Sequence, residues 1–392
     1  MTAPGARVPL YEYALRLHRP NPDGPLREVV LPPEPDRGQR YRRDLAEVRL
    51  RGARTAAVLD QRLGRPLSPA SLRLLDSALA QVPVPRHRDP AVRDLSRRHP
   101  PALLRTVGRW LVRHGTGREA VAAGLALLAE TAVESDVPLI LTVGLLGSPF
   151  GRLPADALER LPNAAATPAL GRLAERTTGT ARTHCVHALN RLADPRAHYP
   201  WWQGPHPLAD PDRPADPQAV HWLRRRAADH GDSNGYFAAE TLVAADVERA
   251  IADPHADSEV VDQTGRLLRA TTDCAGTGAT LARLDNAREL LTHYADHVGR
   301  LAPTADRCRS VLALAGHLAD PRGEAAALDR PPGGRAALLT QLTGLLREPG
   351  WPARLAELTA WPTGNLAGWS LLTARRTGLL PDGPGPRARR RR

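Results

Sequence analysis

Two histidines four residues apart form the pattern in this sequence that most resembles a metal-binding motif. His293 and His297 would lie on the same face of a helix, the spacing that zinc-binding helices use. Tyr294 stands where a zinc protease carries its catalytic glutamate, and the sequence identifies no third ligand. We therefore interpret both residues as surface histidines and predict neither a metal nor another cofactor.

Two further segments contain residues that could bind a metal, but each lacks a required one. In the segment His184–His187, Cys185 would share an apolar helix face with Leu189, which favours a small buried hydrophobe over a ligand. The segment 230–235 alternates polar side chains before a glycine, as calcium loops do. It begins with a histidine and places Thr241 where a bidentate glutamate is needed. A turn that ends a helix is the favoured interpretation.

Sequence signatures of phosphate binding and of nucleophilic catalysis are absent. Gly276–Gly278 follows no strand, and Gly147-Ser148 lacks the flanking pattern of a nucleophile elbow. These observations favour a non-enzymatic protein without deciding the question.

A proline-rich segment at residues 194–217 carries three large aromatic residues, Tyr199, Trp201 and Trp202. Long connections of this kind are functional or disordered, and rigid aromatic side chains dominate the energetics of many interfaces. The alternative is that these rings cap the core between two helical halves. Either interpretation predicts an ordered loop.

The charge of this chain is unevenly distributed. The formal net charge is +12, every basic residue is arginine, and residues 1–115 hold 22 arginines against 11 acidic residues. We call residues 1–115 the basic head. Its candidate phosphate-contacting residues include Arg42, Arg43, Arg49, Arg93 and Arg97. The basic head could bind a polyanion, or it could be a solvated surface in an arginine-rich proteome.

Composition and periodicity predict an all-α fold that would position these residues. Alanine, leucine and arginine dominate, whereas isoleucine and phenylalanine each occur twice. Apolar residues recur every three or four positions in residues 41–63, 68–82 and 101–113, with an interruption at Gly52. Ser68-Pro69 and Thr167-Pro168 each predict the start of a helix.

A repeated phrase, an apolar residue followed by Ala-Asp-Pro, marks helix boundaries. It occurs at Leu192–Pro195, Leu208–Pro211, Ile251–Pro254 and Leu318–Pro321. Proline stops the preceding helix, and aspartate can cap the next turn. With Asp89–Arg93, Arg182–Pro195 and Asp253–Leu268, the sequence resembles the HEAT-like family of α-solenoids over residues 85–320.

This resemblance implies an irregular HEAT-like α-solenoid of stacked helical hairpins. We divide the chain into a proline-rich, extended leader (1–36), an N-terminal helical repeat array (37–193), a Pro/Trp-rich loop (194–217), a C-terminal array (218–380) and a basic flexible tail (381–392). The leading functional hypothesis is a scaffold that binds another protein. Some HEAT-like proteins are alkylpurine DNA glycosylases that combine Trp, Arg and Asp. The cluster Arg109, Trp110 and Arg113 therefore supports a nucleic-acid-binding alternative, although no aspartate matches.

The expected location is the cytoplasm, without a membrane partner. Three widely spaced cysteines fit a reducing compartment, and no apolar segment of a signal peptide begins the chain. The most apolar stretch, about 10 residues after Val137, is too short to cross a bilayer.

Overall fold

The computed structural model describes residues 8–22, 29, 31, 45–197, 210–229, 235–272, 281, 284–320, 332–359 and 365–379. Within these residues the protein is all-α and contains no strand, as the composition predicts. The chain divides into two compact units, Met1–Leu192 and Ala193–Arg392, and each is described separately.

The first unit is built from eleven described helices. They are α1 (Leu10–His18), α2 (Leu45–Leu63), α3 (Pro69–Leu79), α4 (Pro90–Arg93), α5 (Leu95–Arg98), α6 (Pro101–His114), α7 (Arg118–Thr131), α8 (Val137–Gly144), α9 (Leu153–Glu159), α10 (Asn163–Arg176) and α11 (Gly179–Ala193). Short 3₁₀ turns occur at Glu134–Asp136 and Ser148–Phe150.

Helix α7 forms the centre of this unit. Its sequence is apolar on nearly every side, and it packs between α6 and α9 with further contacts to α3 and α4. Two glycines let α6 and α7 approach closely. A Cβ atom on Gly124 would lie 2.8 Å from the carbonyl oxygen of Gly108. The α6–α7 pair is thus a tightly packed helical hairpin.

The second unit alternates its helices between two layers. Its elements are α12 (Pro217–Arg226), α13 (Gly235–Ala244), α14 (Val247–Ala252), α15 (Ser258–Thr272), α16 (Ala287–Gly299), α17 (Ala305–Ala319), α18 (Gly334–Leu345), α19 (Trp351–Thr359) and α20 (Asn365–Arg376). Helix α15 packs against α13 and α17, whereas α16 packs against α14 and α18; α19 and α20 pack on α17. Each helix from α13 to α17 contacts the helix two positions further along, and these contacts bury the apolar sides of the helices.

Aspartate-proline pairs cap turns wherever they are described. The carboxylates of Asp89, Asp194, Asp210, Asp216 and Asp253 each accept a hydrogen bond from the backbone N–H two residues later, at 2.9–3.2 Å. Proline has no N–H, so the following residue supplies the first available donor. Helices α4 and α12 start directly after such aspartates. The capping role predicted from the sequence is confirmed.

The gap at Gly52 in the apolar pattern of α2 has a structural cause. Gly52 is buried in the middle of α2, and the carboxylate of Asp89 occupies the space that a side chain on Gly52 would need. Helix α2 therefore continues without a break, and the missing side chain allows the start of α4 to pack against it.

Two predictions about helix positions are wrong. Residues Leu10–His18 of the predicted extended leader form α1, because Leu10 and Ala14 share a face that packs onto α6 and α8. Helix α10 begins at Asn163 and not at Thr167-Pro168, so Pro168 lies inside the helix. The hydrogen bond that Pro168 cannot donate would go to exposed Ala164, whose carbonyl water can reach.

Candidate functional site

Several predicted site residues lie outside the described part of the chain. These are Arg42 and Arg43 of the basic head and Tyr199, Trp201 and Trp202 of the proline-rich segment. Arg49 lies on α2, where its backbone is helical. The proposed roles of these residues therefore remain predictions.

The predicted cluster of Arg109, Trp110 and Arg113 on α6 is divided among three environments. Arg109 donates hydrogen bonds to the carboxylate of buried Asp136 and to the hydroxyl of Ser135. The Trp110 ring packs against His114, with 5.3 Å between ring centroids. Arg113 lies over the ring of Tyr11, 5.5 Å from its centroid. The sequence did not identify Asp136, because it is 27 residues from Arg109.

Several arginines of the basic head pair with carboxylates of the same chain. Arg86 contacts Glu119 at 2.9 Å, and Arg88 makes two hydrogen bonds to Glu130. Arg97, on α5, pairs with nearby Asp94, while Arg98 pairs with Asp60. Arg93, at the end of α4, is exposed. Part of the positive charge counted in the sequence is thus balanced by carboxylates within the fold.

Other arginines hold the ends of helices. The Nη1 atom of Arg182 donates a hydrogen bond of 2.7 Å to the carbonyl of Ala174, near the end of α10. Arg224 and Arg335 likewise donate to the carbonyls of Ala245 and Leu318. Carbonyls in the last turn of a helix lack intrahelical partners and carry partial negative charge, so a guanidinium satisfies both needs.

The predicted buried role of Cys185 is confirmed. Cys185 is buried, and burial raises the pKa of its thiol to about 12. Beside it, burial and the neighbouring charges of Arg152, His187 and Arg191 lower the pKa of His184 to about 4. A neutral imidazole and a protonated thiol are poor starting points for nucleophilic chemistry at neutral pH.

The two histidines of α16 do not form part of a metal site within the described residues. No group of three or more His, Cys, Asp or Glu side chains there could hold a metal ion. His297 is buried, so the interpretation of both residues as surface histidines is wrong for this one. His297 lies on the side of α16 that faces the core, together with buried Tyr294 and Val298.

A set of ion pairs crosses α12, α15 and α17, as one network of eight residues and the separate pair of Arg307 with Asp262. We call it the charged face; it contains five arginines and five carboxylates: Arg225, Arg226, Asp229, Asp257, Glu259, Asp262, Arg266, Arg269, Asp306 and Arg307. Every arginine in this set lies within 4 Å of a carboxylate of the set. The charged face therefore has no net charge.

Asp306 shows how the charged face is connected. Its carboxylate accepts hydrogen bonds from Arg266 at 2.6 Å and from Arg269 at 3.0 Å. These two hydrogen bonds and the positive charges outweigh the effect of burial and lower the pKa of Asp306. Arg266 in turn donates to Asp229 at 3.0 Å, which links α17 to the residues after α12.

The first unit contains a pocket of about 590 Å³ between the ends of α6, α7 and α10. This volume falls in the range of ligand-binding pockets. Its walls include Pro101, Val133 and Pro162, and its polar residues include Arg105 and Arg160. A smaller cavity of about 140 Å³, lined by His317, Asp320 and Thr373 among others, lies beside α17 and is too small for most ligands.

A buried ionic cluster lies near this pocket, on α9 and α11. Arg152 contacts Asp156 at 3.0 Å, and Arg191 makes two hydrogen bonds to Glu159. Burial raises the pKa of Asp156, whereas Arg191 lowers the pKa of Glu159. Because each carboxylate is held by an arginine of its own chain, the cluster fixes α9 and α11 and leaves no acid-base pair facing the solvent.

No protein-family model, curated protein or solved structure matches this chain. The fold and the geometry of its sites are thus the observations from which function can be argued. One further finding concerns membranes: none of the helices in the described ranges combines the length and the apolar character needed to span a bilayer.

Proposed function

We propose that this protein is a non-enzymatic interaction scaffold, similar to HEAT-like α-solenoids, and that the charged face binds another protein. The main observation in support is that the five arginines of the charged face are paired with five carboxylates of the same chain. A surface of this kind offers donors and acceptors in fixed positions but no excess positive charge. Nucleic-acid phosphates bind surfaces with excess positive charge, whereas proteins bind surfaces whose pattern of charges is complementary to their own.

The packing of the second unit supports this proposal. Helix α15 packs between α13 and α17, and α16 packs between α14 and α18. Helical repeat proteins bind partners on the extended surface of such a row of helices, and the charged face joins α15 to α17 within this row. The ion pairs also hold their side chains in place, so less conformational entropy is lost on binding.

A capture experiment tests the proposal. In the full chain, the double substitution Arg226→Ala and Asp257→Ala removes two of the most exposed side chains of the charged face. These side chains are 52% and 48% exposed. Arg354→Ala with Glu357→Ala is the matched control, because this pair is similarly exposed on α19. We expect nuclease-treated lysate to yield a protein that the wild type and the control retain and the charged-face variant loses. Equal capture by all three proteins would reject the charged face as the binding surface.

Nucleic-acid binding is the second candidate, and one observation favours it. Arg54, Arg65 and Arg73, on or next to α2 and α3, are exposed and have no carboxylate partner among the described residues. If they bind phosphates, the association constant for a fluorescent duplex will fall steeply with salt, and Arg54→Gln with Arg73→Gln will reduce that slope by about 2. An unchanged slope in the double variant would exclude this surface.

A further inference from the structure

The pocket between α6, α7 and α10 contains two arginines in fixed orientations. The Nε atom of Arg105 donates to the carbonyl of Thr131 at 2.7 Å, and that of Arg160 donates to the adjacent carbonyl of Glu130 at 3.3 Å. Both acceptors lie at the end of α7, and both arginines line the same pocket. Their Nη groups remain available for a ligand in the pocket.

The nearby carboxylates are already engaged by other arginines. Glu130 accepts two hydrogen bonds from Arg88, and Asp136 accepts one from Arg109. Within the described part of the chain, neither Arg105 nor Arg160 has a carboxylate at ion-pair distance. These two therefore differ from Arg88 and Arg109, whose charge is neutralised within the protein.

The charge balance of the pocket favours an anion. The end of a helix contributes about half a negative charge, which is less than the charge of two guanidinium groups. Exposed Glu134 also lines the pocket and opposes an anionic ligand. Some positive charge remains at the two arginines, and Glu134 provides a position at which the charge of the pocket can be altered without touching them.

We propose that this pocket binds a carboxylate side chain in an acidic segment of the partner protein. The planar guanidinium groups of Arg105 and Arg160 match a carboxylate, which can accept two parallel hydrogen bonds from each. Pro101, Val133 and Pro162 form apolar walls that the aliphatic stem of a glutamate side chain can contact. This inference rests on the proposed function, because it assigns the pocket to a peptide of the protein partner.

Fluorescein-labelled hexaglutamate is a suitable probe, with labelled hexaglutamine as its neutral counterpart. We expect the full chain to bind hexaglutamate and not hexaglutamine in a fluorescence anisotropy titration. Arg160→Gln removes an exposed side chain with one long hydrogen bond, and we expect it to weaken binding about tenfold. Glu134→Gln should strengthen binding, because it removes a negative charge from the pocket.

Arg172→Gln is the matched control, since it removes an exposed arginine of α10 outside the pocket. It lowers the net charge by the same amount and should leave the affinity for hexaglutamate unchanged. Absence of binding, or equal weakening by Arg172→Gln and Arg160→Gln, would overturn the proposal. Inorganic tripolyphosphate and unlabelled hexaglutamate are then compared as competitors of the labelled peptide. If tripolyphosphate displaces it at the lower concentration, the pocket is a phosphate site and the proposal is overturned.

The two experiments test the pocket assignment and the proposed function separately. If the captured protein persists while hexaglutamate does not bind, the pocket assignment is wrong and the scaffold stands. If hexaglutamate binds as expected and no protein depends on the charged face, the scaffold proposal is wrong.

Discussion

Arg266 on α15 donates a hydrogen bond of 2.6 Å to Asp306 at the start of α17. This contact joins adjacent hairpins of the second unit through polar side chains, whereas Val261, Leu268 and Val311 supply the apolar core. Ion pairs that are partly exposed contribute modestly to stability, each about 0–1 kcal/mol. Their larger role in the charged face is to fix the positions of the donors and acceptors.

Asp306→Asn should therefore destabilise the protein in a pH-dependent way. Its neighbours lower the pKa of Asp306 in the folded state, so its charge stabilises the fold above the ordinary aspartate pKa of about 4. That contribution is lost as the pH falls below 4 and through the lowered pKa. In urea unfolding, the free energy of unfolding of the wild type should exceed that of the variant by about 1 kcal/mol at pH 6, and this difference should shrink towards pH 2.5. Glu348→Gln, at an exposed residue with no cation partner among the described residues, should show no such trend. A difference that is the same at both pH values would contradict this account.

Gly124→Ala should be strongly destabilising. The added methyl group would meet the Gly108 carbonyl at 2.8 Å and the Leu111 side chain at 2.9 Å, so α6 and α7 would have to move apart. Overpacking of this kind costs about 1–3 kcal/mol. Gly344→Ala in α18 is the comparison, because nothing lies within 4 Å of the new atom there. It should be neutral or stabilising in thermal unfolding. If both substitutions shift the melting temperature alike, close packing at Gly124 is not the cause.

Arg109→Ala should reduce stability by about 2 kcal/mol, because it leaves the buried carboxylate of Asp136 without its cation. Arg113→Ala removes an exposed arginine from the same helix and should cost less than about 1 kcal/mol. Asp136→Asn in the Arg109→Ala background should recover part of the loss. Chemical denaturation of the three variants measures these differences. Equal losses at Arg109 and Arg113, or no recovery, would argue against a structural role for Arg109.

Cys185 and Cys308 should resist alkylation in the native protein. Both are buried, and burial raises the pKa of each thiol to about 12, so almost no thiolate is present at neutral pH. Iodoacetamide labelling followed by peptide mass spectrometry should leave both unmodified at pH 7.5 and modify both in 8 M urea. Rapid labelling of either residue without denaturant would show that its helix opens more readily than the packing implies.

The fold class and many helix positions could be predicted from the sequence, because these depend on local patterns. The apolar faces of α3 and α11, the Ser68 cap and the aspartate-proline turns all follow from residues within one or two turns of each other. The partners of Arg88 and Arg109 could not be predicted, since Glu130 and Asp136 are 42 and 27 residues away. The count of arginines consequently overstated the free positive charge of the basic head.

The candidate sites were harder to predict than the fold for the same reason. The charged face brings together residues from α12, α15 and α17, and nothing in any one of these segments signals the pairing. Likewise, the two pocket arginines belong to α6 and to the residues before α10, and they line one pocket because both donate to carbonyls at the end of α7. Such sites depend on tertiary packing, which sequence periodicity does not specify.

Site-specific photo-crosslinking tests the central claim most directly. A photoreactive amino acid replaces Arg226 on the charged face in one full-length protein and Arg354 on α19 in another, and both are irradiated in cells. The account predicts a discrete protein adduct at position 226 that is resistant to nuclease and absent at position 354. Adducts of equal strength at both positions, no adduct at 226, or an adduct that nuclease removes would contradict it.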